Sequence, residues 1–199
     1  MQYWKNIKRL GRYLKGEPRI VQSFKFQRTP DTIIGWTDTD YAGCRLSRKS
    51  TSGGVIQIGS HTIKTWSSTQ STIALSSGEA EYYGLVKAAS QSIGIRNIMR
   101  DLGFELHIQI NTDASVAKSI AMRRGTGNVR HIEVNQLWVQ ERVAKGELEI
   151  RKVGTEENIA DILTKHIDRE TLEKHLSKLP FIRESGHHDI ALKPSWEAS

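Results

Sequence analysis

Three strand-like segments follow one another with short connections in the first half of the chain. Residues 32–38, "TIIGWTD", lead through a basic loop to "GGVIQIGS", and Gly59-Ser60 predicts a tight turn into "HTIKTWSST". Strands connected in this way pair antiparallel, because a parallel connection needs a crossover of a dozen or more residues. The fold must therefore accommodate an antiparallel meander.

A long helix and two more strands complete the pattern. Ser76 and Glu79 have the spacing of a capping box at the start of the helix, and Gly103 predicts its end. A fourth strand, "ELHIQINTD", follows, and a fifth, "GELEIRKV", comes after another helical region. The order β-β-β-α-β-α-α-β-α predicts an α/β fold with a mixed sheet flanked by helices.

The two ends of the chain differ from this central region. Residues 2–15 place apolar side chains at helical spacing among basic ones, and residues 20–26 alternate like a strand. Residues beyond Pro180 show no period and are interpreted as a tail. The predicted parts are therefore 1–30, 31–179 and 180–199.

Composition excludes several classes of protein. No apolar run approaches the roughly 18–20 residues of a membrane-spanning helix, and the basic N-terminal segment lacks the apolar stretch of a secretory signal. Cys44 is the only cysteine, which excludes a disulfide framework and favours a reducing, intracellular setting. The net charge of +7 suits nucleic acid before an anionic membrane, although charge alone is equally compatible with a basic surface that has no partner.

Four carboxylates stand near the ends of predicted elements. Asp38 is close to the end of the first strand, Glu81 is in the first turn of the long helix, Asp113 ends the fourth strand, and Asp161 lies in the last helix. Each has a simpler interpretation: Asp113 as a helix cap, Asp161 on a solvated face, and Glu81 as a partner of the helix dipole. Glu79 could serve the dipole without burial, whereas Glu81 aligns with the apolar stripe.

Taken together, the four acids favour a metal site. Clustered carboxylates repel one another unless a cation lies among them, and the sequence offers no evident basic partner. Oxygen ligands favour Mg²⁺ or Mn²⁺ over zinc, and a pair of such ions suits in-line displacement at a phosphodiester.

Motifs across residues 32–178 are more specific. "WTDTDYAG" is similar to the pattern S-D-A-D-W-A-G, "RKSTSGG" to R-x-S-T-S-G, and "ALSSGEAEY" to A-L-S-S-x-E-A-E-Y. "NTDASVAKSIA", "RHIEV" and "ENIADILTK" agree with later motifs of the same set. The chain thus resembles the ribonuclease H domain of copia-type (Pseudoviridae) retrotransposon Pol polyproteins.

This resemblance implies a ribonuclease H-like fold, a five-stranded mixed sheet with strand order 3-2-1-4-5. It implies that Asp38, Glu81, Asp113 and Asp161 bind two Mg²⁺ ions, with Mn²⁺ as a substitute, and hydrolyse the RNA strand of RNA/DNA hybrids. The N-terminal helix resembles the end of a reverse-transcriptase module, an expected partner in the same polyprotein. The expected location is a cytoplasmic virus-like particle, or the nucleus, with no membrane partner.

Some positions depart from the family pattern. Asp40 and Asn158 are candidates for contacts around the metal ligands, although Asp40 could simply form a turn before Gly43. Many ribonucleases H have a histidine in the loop before the last aspartate, which this chain lacks; Asn158 could hold a comparable position there or only support the start of the helix. Ala114 replaces an asparagine, with an effect that the sequence leaves open.

Two basic loops flank the acids and suit phosphate contacts. The predicted nucleic-acid-binding residues are Arg45, Arg48, Lys49, Ser52, Gln70, Ser76, Ser77, Arg123, Arg124 and Arg130. Trp66, Tyr83 and Trp138 have the spacing of core residues rather than of a stacking platform.

Two other functions compete with hybrid cleavage. A catalytically inactive ribonuclease H-like module could persist as a nucleic-acid-binding or structural unit. An integrase-type strand transferase shares the fold, but its late acid is a glutamate, whereas the late acid here is Asp161.

Overall fold

The computed structural model describes residues 2–17, 19–125, 132, 136–184 and 186. The chain forms two compact units, Lys25–Leu179 and a smaller one that combines Met1–Phe24 with Pro180–Ser199. The smaller unit contains α1 (Gln2–Gly16) and the antiparallel pair of strands β1 (Arg19–Gln22) and β7 (Phe181–Glu184). The sequence pattern did not predict β7, because residues 181–184, "FIRE", show no alternation of apolar and polar side chains.

The larger unit is built on a five-stranded sheet. Its strands are β2 (Thr32–Asp40), β3 (Thr51–Ile58), β4 (His61–Thr69), β5 (His107–Thr112) and β6 (Glu149–Lys152). They lie in the order β4-β3-β2-β5-β6; β2 pairs antiparallel with β3 and parallel with β5, and β6 is parallel to β5. Counted from β2, this is the predicted order 3-2-1-4-5, so the ribonuclease H-like fold is confirmed.

The long helix α2 (Ser77–Asp101) begins where its capping residue predicted. The Ser76 side chain accepts a hydrogen bond from the Glu79 backbone N–H at 3.2 Å. The prediction that Glu79 stays unburied was wrong: it is 2% exposed, and its carboxylate accepts from the Leu75 N–H and the Tyr83 hydroxyl. Those two donors are what makes burial of the carboxylate tolerable.

The remaining helices are short. They are α3 (Ser115–Met122), α4 (Trp138–Ala144), α5 (Arg169–Leu176) and two 3₁₀ helices, Thr155–Glu157 and Ile159–Leu163. The prediction of one last helix containing Asp161 was therefore wrong, since two 3₁₀ helices take its place. Asn158 interrupts it, because its extended backbone ends one 3₁₀ turn and its side chain accepts from the Ala160 N–H to begin the next.

The core fills the space between the sheet and α2. Tyr82 and Leu85 on α2 are fully buried in the same cluster as Ile33, Ile56 and Ile110 from the strands. Trp66, Tyr83 and Trp138 pack against this cluster, in agreement with the prediction of core packing. Among the residues described, none of the helices combines the length and the apolarity needed to span a bilayer.

Successive side chains of β2 point to opposite faces of the sheet and therefore contact different parts of the protein. The hydroxyls of Thr37 and Thr39 lie next to Gly84 of α2, where a Cβ would come within 3.1 Å and 2.6 Å of them. Asp38, between them, contacts Thr164 just beyond the second 3₁₀ helix. The strand therefore presents Asp38 on the face opposite α2.

Candidate active site

Three of the four predicted acids meet at one edge of the sheet. Asp38 lies near the end of β2, Asp113 directly follows β5, and Asp161 lies in the second 3₁₀ helix. One carboxylate oxygen from each lies within 4.8 Å of the others. Because β2 and β5 are parallel neighbours, their C-terminal ends bring the first two acids to the same edge.

Glu81 is not one of these three acids, but the negative charges of two of them affect its pKa. Burial, followed by the negative charges of Asp38 and Asp113, raises the pKa of Glu81 to about 9. Its Oε2 is buried and has no hydrogen-bond partner in the described part of the chain. A carboxylate in this setting needs either a proton or an added cation.

A protein cation that the sequence analysis missed lies between two of the acids. The Lys165 ammonium is 3.0 Å from Asp38 Oδ1 and 3.2 Å from Asp161 Oδ1. Burial lowers the pKa of Lys165, but its hydrogen bond and charge interactions with Asp38 and Asp161 outweigh that and raise it. The expectation of no basic partner was therefore wrong. The available signal was the spacing of four residues between Asp161 and Lys165 in "ADILTK".

Threonine hydroxyls fix the orientation of two carboxylates. The Thr164 hydroxyl donates to Asp38 Oδ2, and the Thr155 hydroxyl donates to Asp113 Oδ2 at 2.9 Å. The Asp161 pKa is raised, first by burial and then by the charge of Asp38. This set of oxygen donors, with the orphaned Glu81 oxygen beside it, fits a hard divalent cation such as Mg²⁺ or Mn²⁺.

Neighbouring positions have structural contacts. The backbone Cα of Gly43 lies so close to Asp40 that a Cβ there would come within 1.9 Å of Asp40 Oδ2, which matches the turn interpretation of Asp40. The buried Asn158 amide donates to the Thr37 carbonyl at 3.0 Å. Ala114 occupies the N-cap position of α3, so Asp113 is not the cap of that helix.

The predicted nucleic-acid contacts divide into surface and interior residues. Arg45 and Arg48 are exposed in the loop between β2 and β3, and Lys49 is half-buried there. Ser52 is buried, and Gln70 Nε2 donates to Ser52 Oγ and to the Ala80 carbonyl at 2.8 Å each. These two side chains therefore hold β3 and α2 together.

The other predicted contacts lie at helix ends. Ser76 and Ser77 are exposed at the start of α2. Arg123 is half-buried and Arg124 exposed after α3. Arg130 lies outside the described residues.

The chain has relatives among known proteins, although no protein-family model matches it. It is 28% identical over 177 residues to the retrovirus-related Pol polyprotein from transposon TNT 1-94 of Nicotiana tabacum, which covers 86% of this chain and 13% of the relative. It is 27% identical over 184 residues to the Pol polyprotein from transposon RE2 of Arabidopsis thaliana, covering 91% of this chain and 13% of the relative. The chain therefore spans a small fraction of these polyproteins.

A further relative is the secreted RxLR effector protein 161 of Plasmopara viticola. It is 34% identical over 91 residues, which are 46% of this chain and 63% of the effector.

Solved structures similar to the chain are ribonuclease H domains. One is RNase H1 from Halobacterium salinarum, with a TM-score of 0.48 and 19% identity over 71% of this chain and 98% of that one. Another is LC11-RNase H1 in complex with an RNA/DNA hybrid, with a TM-score of 0.43 and 18% identity over 73% of this chain and 99% of that one. Because these TM-scores are low, the assignment of the fold rests on the strand order of the sheet. Relatives of this chain thus include retrovirus-related Pol polyproteins of transposons, and its fold is ribonuclease H-like.

Proposed function

We propose that the chain is an endonuclease that hydrolyses the RNA strand of RNA/DNA hybrids with divalent cations held by Asp38, Glu81, Asp113 and Asp161. The observation that carries this proposal is the convergence of three carboxylates within 4.8 Å on an RNase H-like sheet. The homologous Pol polyproteins favour hybrid cleavage over the other chemistries of the fold.

In this reaction the acids would hold the cations, and neighbouring residues affect their position and protonation. Bound Mg²⁺ or Mn²⁺ would supply the charge that favours deprotonation of a water and stabilises the leaving 3′ oxygen. Asp38 and Asp113 are kept in position by Thr164 and Thr155. Burial and the neighbouring acids raise the pKa of Glu81, so its carboxyl would be protonated without a metal, and a bound cation would lower that pKa and favour the carboxylate. Attack by water leaves a 5′ phosphate and a 3′ hydroxyl.

The substrate would lie across the same sheet edge. Arg45, Arg48 and Arg124 are exposed cations suited to phosphates, and the hydroxyls of Ser76 and Ser77 are exposed at the start of α2. Such contacts read the shape and the 2′-OH groups of a hybrid rather than its base sequence. We further propose a reverse-transcriptase module of the same polyprotein as partner, and the cytoplasmic particle of a retroelement, or the nucleus, as location.

Cleavage of a labelled hybrid tests the proposal. With Mg²⁺ present, the chain should cut the RNA strand, whereas Asp113→Asn should lose at least about a hundredfold in rate because a charged ligand is gone. Asp101→Asn, an exposed aspartate at the far end of α2, is the matched control and should cleave normally. Equal cleavage by the chain and Asp113→Asn, or none by either, contradicts the proposal.

An inactive nucleic-acid-binding module is the second candidate. The ion pairs of Lys165 favour it, because they compensate Asp38 and Asp161 without a metal. Isothermal titration separates the two: the enzyme binds Mg²⁺ or Mn²⁺ at millimolar concentrations, and the inactive module binds neither.

A further inference from the structure

We propose that the Lys165 ammonium competes with a divalent cation for the place between Asp38 and Asp161, so that metal binding requires Lys165 to leave. This inference rests on the proposed function, since it concerns the cation that the acids would hold.

The contacts of Asp38 carry the argument. Its side chain is 1% exposed, and both oxygens are engaged, Oδ1 by Lys165 and Oδ2 by Thr164. Lys165 also contacts Asp161 Oδ1, so one ammonium bridges the two carboxylates. A divalent cation shared by these carboxylates would need the same position, at about 2.1 Å from each oxygen for Mg²⁺. Two cations cannot occupy it together.

Lys165 has a way out of this position. Its side chain is 39% exposed, whereas those of Asp38 and Asp161 are 1% and 9% exposed. The ammonium can therefore move into water and be solvated there, while the acids stay in place. At equal distance, a cation of twice the charge attracts the buried carboxylates about twice as strongly as the ammonium does.

Lys165 should therefore stabilise the metal-free protein and oppose the binding of a metal. Without metal, Lys165 compensates the mutual repulsion of Asp38 and Asp161 and so keeps the acids assembled. When a metal binds, the loss of these ion pairs lowers its affinity for the site. Removal of Lys165 should therefore tighten metal binding and weaken the metal-free fold.

Titration with Mg²⁺ or Mn²⁺ alone measures the first effect. Lys165→Met should lower the dissociation constant roughly tenfold, as expected for directly coupled charges. Lys152→Met is the matched control, because Lys152 is exposed on β6 opposite Thr112, the neighbour of Asp113. Loss of that charge should change the dissociation constant by about threefold or less. Equal effects of the two substitutions, or weaker binding by Lys165→Met, would overturn the competition.

Acylation of the unsubstituted chain gives a second measurement that does not depend on a variant folding. Mass spectrometry after brief treatment with an acetylating ester should show that Mg²⁺ increases labelling of Lys165 and leaves Lys152 unchanged. If Mg²⁺ leaves the labelling of Lys165 unchanged in a chain that binds Mg²⁺ and cleaves hybrid, the competition fails and the proposed function stands. If neither the chain nor any variant binds a divalent cation, both fail.

Discussion

Asn158 holds the backbone of Thr37, the residue before Asp38, across 121 positions of the chain. Its amide donates to the Thr37 carbonyl at 3.0 Å, and its Oδ1 accepts from the Ala160 N–H at 3.2 Å. One fully buried side chain thus ties the strand of Asp38 to the 3₁₀ helix of Asp161. The relative position of these two acids depends on it.

Replacing Asn158 with alanine should therefore affect both folding and metal binding. It leaves the Thr37 carbonyl and the Ala160 N–H buried without partners, which costs about 1–3 kcal/mol in the free energy of unfolding. Urea denaturation checks this cost, and metal titration should show weaker binding. Asn97→Ala, at an exposed position of α2, should change neither quantity appreciably. Equal stability of the two variants would contradict the assigned role.

Glu81 predicts a pH dependence of stability in the metal-free protein. Its pKa is raised from an ordinary value of 4.5 to about 9, so between these values the folded chain holds a proton that the unfolded chain releases. The free energy of unfolding therefore falls as pH rises through this window. Glu81→Gln removes this contribution and should stabilise the protein by roughly 1–3 kcal/mol at pH 7.

Urea denaturation at pH 5, 7 and 9 in the presence of a chelator measures this effect. The difference in the free energy of unfolding between Glu81→Gln and the parent chain should increase with pH. Saturating Mg²⁺ should stabilise the parent chain more than Glu81→Gln, because the substitution removes one of the proposed metal ligands. A difference that stays constant from pH 5 to pH 9 would refute the assignment.

Gly53 keeps the second 3₁₀ helix close to Asp38. It pairs with Asp38 across β2 and β3, and a Cβ at Gly53 would come within 2.7 Å of Thr164 Cγ2 and 2.8 Å of Leu163 Cβ. Gly53→Ala should push Thr164 and Lys165 away from Asp38, cost about 1–3 kcal/mol of stability, and alter metal affinity.

Gly94→Ala provides the contrast for that substitution. Gly94 lies inside α2, and the position that an alanine Cβ would take there has no neighbouring atom within 4 Å. Alanine at this position should therefore stabilise the helix by about 0.5–1 kcal/mol. Thermal denaturation with metal titration compares the two variants. Similar effects of the two glycine substitutions would argue against close packing at Gly53.

The loop between β2 and β3 predicts a salt-dependent contribution to substrate binding. Arg45→Gln should weaken binding of hybrids of any sequence by a similar factor and reduce the slope of log affinity against log salt by about 1. Fluorescence anisotropy at several salt concentrations measures this, with a chelator present to prevent cleavage. Arg100→Gln, near the C-terminal end of α2, is the control. An unchanged slope for Arg45→Gln would exclude a phosphate contact.

Local patterns predicted the five strands of the sheet and α2, whereas β7 and the division of the last helix into two 3₁₀ helices were not predicted. Asp38 and Asp113 were predictable as neighbours, since they stand near the ends of strands that the topology brings to one edge, whereas Asp161 joins them from the middle of a 3₁₀ helix. Lys165 was missed because its role depends on contact with Asp38, 127 residues away in sequence. The burial of Glu79 was missed because one of its two partners, the Leu75 N–H, approaches the carboxylate only when the turn before α2 is folded.

The two 3₁₀ helices, of three and five residues, affect which part of the candidate site unfolds first. Asp38 belongs to the middle strand of the sheet, whereas Asp161 depends on one short turn with few backbone hydrogen bonds. Local opening of that turn should need less free energy than loss of the sheet. Mild denaturant should then abolish binding of a divalent cation while amide protons of β2 still resist exchange, so this short turn would limit the conditions under which the three acids can hold a cation together.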